Sequence, residues 1–179
     1  SFIYPDSFLF KKPILYKFKN KHNGNWIEMK EFNEGLCDPS VIYKNNKFYL
    51  FANYSNEPGI LRLWVSNNPL FESLVEHPSS PILISPRGGR MGGRIFYFEK
   101  NLYRFGQDCS FEYGNGLVFF KIKKLTRNDY LEEEIDYFRY KLPFKGPHNI
   151  DLSSDMVVWD FYEERFSLLA GIKRIYSKI

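Results

Sequence analysis

Short apolar and polar residues alternate along the whole chain, and Gly, Pro, Asn and Asp interrupt the runs every several residues. That rhythm predicts many short strands and few helices. Pro13 to Phe18 reads as a β-like run behind a turn at Tyr4-Pro5-Asp6-Ser7, and Asn23-Gly24-Asn25 is a strong turn before a strand over Trp26 to Phe32. Val41 to Tyr43 and Lys47 to Asn53 form a predicted hairpin around Lys44-Asn45-Asn46, with Ile60 to Ser66 as its third strand. Asn67 to Pro86, with prolines at 69, 78, 81 and 86, reads as a loop that holds a brief edge strand at Ile82-Leu83-Ile84. Gly116 to Leu125 and Tyr137 to Leu142 are further strands. The acidic stretch Leu131 to Asp136 tempts a helical reading but is better read as a solvated turn or a strand edge. Trp64 and Trp159 lie on alternating strands and are expected in the core.

A repeat organises these strands. VIYKNNKFYLFA from Val41, IFYFEKNLYRFG from Ile95 and NIDLSSDMVVWD from Asn149 each read as strand, polar turn and strand, at successive offsets of 54. Asp38, Gly92 and Gly146 stand at matching places ahead of the three units. A period near 50 with up to four short strands per unit predicts β-propeller blades. The expected fold is therefore an all-β propeller of four-stranded antiparallel blades. In that geometry the loops that lead into the inner strands gather at one end of a central channel. Asp38, the Arg90–Arg94 loop and Gly146-Pro147-His148 should then converge, with Gln107 and Asp108 near the same rim.

Composition narrows the function classes. Of 179 residues, 19% are aromatic, including 18 Phe and 13 Tyr, which favours strands and stacking surfaces. The net charge of +4 comes from scattered Lys and Arg, which argues against a nucleic-acid partner. No apolar run reaches membrane-span length, and no signal or transit peptide opens the chain, so the expected location is cytoplasmic. The abrupt opening on SFIYPDSF leaves room for further sequence upstream. Cys37 and Cys109 are neither in a CxxC nor at metal-ligand spacing with His22, His77 or His148, and are read as buried free thiols. Walker, dinucleotide, zinc and serine-elbow patterns are missing, so no cofactor or metal is expected.

The stretch Gly88 to Gly116 concentrates the candidate chemistry. It sets Arg90 and Arg94 among four glycines and continues through Arg104, Gln107 and Asp108 to Tyr113. Arginine offers a planar fork of donors, while Gln and Asp offer acceptors. Such a cluster suits a saccharide; equally, it is what a turn-rich β-protein needs in order to fold.

The ordered motifs PDS, DPS, GRMGGRIF, LYRFGQDCSFEYG and GPHNIDL resemble those of the five-bladed propeller clan of arabinanases, invertases and levansucrases. Within it they are most similar to the branch formed by the N-terminal domain of plant glucosamine inositolphosphorylceramide transferases and related bacterial domains, some fused to formyltransferase-like modules. The resemblance runs from about Pro5 to Phe166. It implies that residues 1–179 are one glycosidase-like domain, the C-terminal part of a larger propeller, with about three and a half blades present. Five blades at this period need roughly 270 residues, so the remainder would come from upstream sequence or from another subunit, and an oligomer would follow in the second case. Where the branch carries a glutamate after the proline, this chain has Asp6, one methylene shorter.

The resemblance implies a sugar or glycoconjugate ligand and a fused or associated glycosyl- or formyl-transferring module. Hydrolysis would need two facing carboxylates, one protonated and one ionised; Asp38, Asp108 and Asp6 are the candidates. Asp38 is either a turn residue ahead of Pro39 or a channel carboxylate, and Asp108 either acts chemically or braces the sheet through Arg90 or Arg104. Arg90, Arg104, Gln107, Tyr113 and His148 are the expected substrate contacts, with Arg94 as a salt-bridge partner. His148 reads as a general base, a sugar contact or a structural residue. Three functions remain open: a carbohydrate-binding domain, an active glycosidase or transglycosylase, and a protein-interaction propeller.

Overall fold

The computed structural model describes residues 2–3, 14–18, 25–31, 34–153 and 155–163. All their regular structure is β-strand, every strand pair is antiparallel, and no sheet closes on itself among the described residues. The first sheet holds β1 (Phe2–Ile3), β2 (Ile14–Phe18) and β3 (Trp26–Glu31). The second is a meander of β4 (Leu36–Lys44), β5 (Lys47–Tyr54), β6 (Ile60–Ser66) and β7 (Val75–Glu76), with β8 (Leu83–Ile84) also pairing with β6. In the third, β9 (Arg87–Met91) and β10 (Phe96–Phe98) both pair with β11 (Asn101–Asp108), and β12 (Gly116–Leu125) and β13 (Tyr130–Phe138) follow. Two small ladders complete the order. β14 (Phe144–Lys145) pairs with β17 (Tyr162–Glu163), and β15 (Ile150–Leu152) pairs with β16 (Val157–Trp159).

The 54-residue repeat reappears as register. Ile42 opposes Tyr49 in one hairpin and Phe96 opposes Tyr103 in the next. Both hairpins close with two residues of positive φ, Asn45 and Asn46 in the first and Glu99 and Lys100 in the second. Left-handed turns of that kind match the twist of the flanking strands. In the third unit Leu152 opposes Val157, leaving a four-residue connection in which Ser153 and Met156 bond to each other.

Sheet stacking follows from the alternation within β5. Tyr49 and Phe51 point one way, into a core shared with Leu61 and Leu63 and with Met91, Ile95, Leu102 and Ile122 of the third sheet. Leu50 and Ala52 point the other way and join Leu15 of the first sheet, Leu36, Trp64 and Phe71. A strand enclosed on both faces needs apolar residues at every position, and FYLFA supplies them. Each fully buried Leu or Phe contributes about 1.5–3 kcal/mol. On the third sheet, the residues of opposite parity to Leu102 form a half-buried aromatic layer. There Phe105 and Phe119 stack at 4.7 Å, and Phe96 lies parallel to Phe119 at 6.1 Å.

Three expectations need correction. The acidic run lies on the edge strand β13, the second of its two expected readings, but the strand expected over Tyr137 to Leu142 ends at Phe138. Its glutamates are held by cations of the same sheet: Glu133 by Lys123 on the adjacent β12, Glu132 by Arg104 on β11 and Glu134 by Arg87 on β9. Within the expected 67–86 loop, β8 is the brief strand expected near Ile82-Leu83-Ile84, but β7 also pairs with β6 and was not expected. Trp64 is in the core, but Trp159 is 51% exposed because the two-stranded ladder that carries it has no third described strand. Cys37 and Cys109 are free thiols, the first buried and the second half-buried.

Candidate functional site

Asp38 sits where β4 bulges. The β4–β5 register shifts between Cys37 and Ser40, and Asp38 has φ 46°, a left-handed conformation that Asp tolerates better than most L-residues. The bulge turns its carboxylate toward the third sheet, where it accepts hydrogen bonds from Arg90 Nε and, at 3.0 Å, from Gln107 Nε2. Ser40, two residues on, accepts from the Ile95 amide at 3.0 Å, so the same bulge pins the two inner strands together. Burial alone would pull the Arg90 guanidinium down, but the hydrogen bond and charge of Asp38 outweigh it and the net shift is upward.

Gln107 is oriented by two acceptors, Asp38 Oδ2 and the Met91 carbonyl at 2.7 Å. Its own carbonyl oxygen is buried and has no hydrogen-bond donor among the described residues. The Arg90 guanidinium lies 5.5 Å from the Tyr113 ring centroid, within cation–π range. Tyr113 is half exposed and its phenol is pushed up to about 12, with desolvation as the largest cause. His148 extends the cluster, with its ring 4.9 Å from Tyr113 and stacked on Tyr162 at 5.8 Å.

Two residues of this cluster were not singled out in the sequence. Asp160 accepts from the His148 and Asn149 amides, both at 2.9 Å, and pairs with the His148 ring. The Tyr162 hydroxyl lies 2.9 Å from His148 Nδ1. A signal for Asp160 was present: at the twelfth position of the three repeats stand Ala52, Gly106 and Asp160, a charge where the other units have small residues.

The remaining sequence candidates lie elsewhere. Arg104 is wholly buried. It forks onto Glu132 at 2.5 and 2.6 Å, donates to the Gly88 carbonyl and covers the Phe120 ring at 4.0 Å. It braces the sheet and has no surface left for a ligand. Asp108 accepts from the Ser110 amide at 3.0 Å, from Asn115 at 2.7 Å and from the Tyr137 hydroxyl at 2.9 Å, not from Arg90 or Arg104. Burial works against its ionisation, but these hydrogen bonds prevail and hold the carboxyl below its ordinary value. Arg94 pairs with Asp151. Asp6 lies outside the described residues. Among those residues no three His, Cys, Asp or Glu side chains gather to hold a metal ion, and no helix is long and apolar enough to cross a membrane.

The glycines of the GGRMGG run serve packing between strands. Gly93 has φ 133°, and a Cβ there would lie 1.9 Å from the Ile150 carbonyl oxygen. Beside it, the Ile150 amide donates to the Gly92 carbonyl at 2.8 Å. This close approach brings the third repeat, and with it His148, against the third sheet.

Fold and cluster together describe an all-β domain in which polar and aromatic side chains from three repeat units meet. The chain belongs to the family described as glucosamine inositolphosphorylceramide transferase 1, N-terminal, which matches residues 5–150. It is 37% identical over 134 residues to glucosamine inositolphosphorylceramide transferase 1 of Oryza sativa subsp. japonica, covering 70% of this chain and 18% of that protein. The protein of the same name from Arabidopsis thaliana is 31% identical over 109 residues, covering 57% of this chain and 14% of that protein. The chain thus spans less than a fifth of the curated relatives it matches. No solved structure gives a significant match.

Proposed function

We propose that this domain binds a sugar or glycoconjugate at the cluster of Asp38, Arg90, Gln107, Tyr113 and His148, and serves a glycosyl- or formyl-transferring module. The convergence of these five residues, drawn from three repeats, carries the reading. A charged pair, an amide and aromatic faces are what a saccharide needs: hydroxyls exchange hydrogen bonds with the polar groups, while the ring's C–H face rests on Tyr113. Gln107 is itself buried and supports the site by donating to Asp38 and the Met91 carbonyl, which fixes the carboxylate. The family is defined by the N-terminal region of a named transferase, which supports a supporting role for the domain. The two stacked five-stranded sheets, each built on a four-stranded meander, and the third hairpin are read as successive blades of a larger five-bladed propeller, with the cluster at its channel mouth. The 54-residue spacing and matched registers support that reading.

Hydrolysis is less favoured. Asp108 is held ionised by three hydrogen bonds, the wrong state for a proton donor, and Asp38 is engaged by Arg90 and Gln107. A glycan array probed with wild type and Arg90→Ala tests the binding reading. Glycans retained by wild type and lost by the variant are expected; an array with no glycan retained by either protein would overturn it. Turnover of aryl glycosides that disappears in Asp38→Asn would replace binding with catalysis.

A further inference from the structure

The β11–β12 loop and the segment between β13 and β14 enclose a cleft of about 670 Å³ beside the cluster. Arg139, Lys141 and Lys145 line it, together with Tyr140, Glu112 and Gly114. Glu112 engages Lys145 at 2.9 and 3.0 Å. Arg62, Arg87, Arg90, Arg94 and Arg104 each hold a carboxylate, but Arg139 and Lys141 form no ion pair among the described residues. Among the described lining residues, Arg139 and Lys141 are therefore cations with no carboxylate beside them.

Its basic wall is anchored. Tyr140 packs edge-on against Phe138 at 5.2 Å and against Phe161 at 6.2 Å, Phe144 meets Phe161 at 5.7 Å, and the Tyr140 amide donates to the Gly146 carbonyl. Gly114 is a wall common to the cleft and the cluster. It has φ 72°, and a Cβ there would stand 2.9 Å from the Tyr162 ring and 3.7 Å from His148 Cβ. The missing side chain lets the β11–β12 loop pack directly against Tyr162, so the cleft lies one residue away from the cluster.

We infer that this cleft receives a phosphate ester, and that its ligand is a phosphorylated sugar whose ring lies at the adjoining cluster. The second half of that statement rests on the sugar-binding reading; the first does not. An arginine fork and flexible ammonium groups around an open space suit a dianion with several acceptor oxygens. The phosphate comes either from a soluble sugar phosphate or from a phosphoinositol lipid headgroup, which presents the same chemistry.

The test is calorimetric titration of the full chain at low salt with inorganic phosphate, glucose 1-phosphate and glucose. Co-sedimentation with phosphatidylcholine vesicles, with and without phosphatidylinositol, runs alongside. Both phosphate compounds should bind, more weakly as salt rises. Arg139→Gln and Lys141→Gln should each weaken them about tenfold while leaving the thermal midpoint in place. Capture only by phosphatidylinositol vesicles, sensitive to the same variants, would assign the lipid source and equally support the cleft. If glucose 1-phosphate binds no tighter than inorganic phosphate while both depend on Arg139, the cleft stands and the sugar-binding half falls. No binding of either phosphate compound or of phosphatidylinositol vesicles, or binding indifferent to both substitutions, would overturn the proposal.

Discussion

Arg90 donates to the Asp38 carboxylate across 52 positions of sequence, tying the inner strand of one sheet to that of the next. Both side chains are mostly but not fully buried, 16% and 21% exposed, so the pair ranks between a surface bridge and an interior one. Asp38→Asn keeps a residue suited to φ 46° and removes the charge. Asp38→Ala removes the charge and also strains the backbone. Urea unfolding should show a loss of about 1–2 kcal/mol for Asn and a larger one for Ala. Equal losses would mean that the bulge carries no conformational strain.

Arg104 tests the separation of brace from site. Arg104→Ala leaves Glu132, itself only 10% exposed, without its cation, and should lower stability by about 3–5 kcal/mol. Arg104→Met retains volume over Phe120 and should cost less. Denaturant midpoints check both, and glycan binding by the Met variant should match wild type once it is folded.

Asp108 makes stability depend on acid. Its folded carboxyl titrates below the unfolded one, so its contribution is present above about pH 4 and is lost as pH falls through the folded value. The stability gap between wild type and Asp108→Asn should therefore narrow in acid. Urea midpoints measured from neutral pH down to about pH 3 would show it, and a constant gap would refute the assignment.

Tyr113 acts at the other end of the pH scale. A phenol pushed up to about 12 contributes fully below about pH 10 and loses that contribution as pH rises toward the folded value. In ultraviolet titration, the difference between wild type and Tyr113→Phe should show its missing transition above that of an ordinary tyrosine. A transition at the ordinary value would show that Tyr113 is more solvated than its place beside Arg90 and His148 implies.

Gly93→Ala should loosen the third repeat, because the added methyl would meet the Ile150 carbonyl and the residue would keep an unfavourable positive φ. A loss on the order of 1–3 kcal/mol is expected. Faster hydrogen exchange over residues 149–160 should accompany it, with β5 and β6 unchanged.

Much of this was legible from local pattern. The β4–β5 hairpin, β6 and the repeat followed from alternation and turn residues, because side chains on a strand alternate faces whatever surrounds them. The acidic strand β13 was harder to read, since its three successive glutamates find their cations on three different strands, β9, β11 and β12, which local sequence does not bring together. Asp160 stood out only as a charge at the twelfth repeat position; its role depends on a backbone fold at His148–Asn149 that the repeat does not announce.

Arg90 and Arg104 divide the two kinds of information. Local sequence alone was enough to put Arg104 on a strand and to set Asp38, Gly92 and Gly146 at equivalent places in three units, but it made Arg90 a loop residue where the structure has the strand β9. Which guanidinium pairs with Asp38 beside the half-exposed Tyr113 and which pairs with Glu132 sealed beneath Phe120 was decided by how the sheets stack. Strand parity assigns a residue to a face, but whether that face is open or enclosed depends on the neighbouring sheet, brought there by residues far away in the chain.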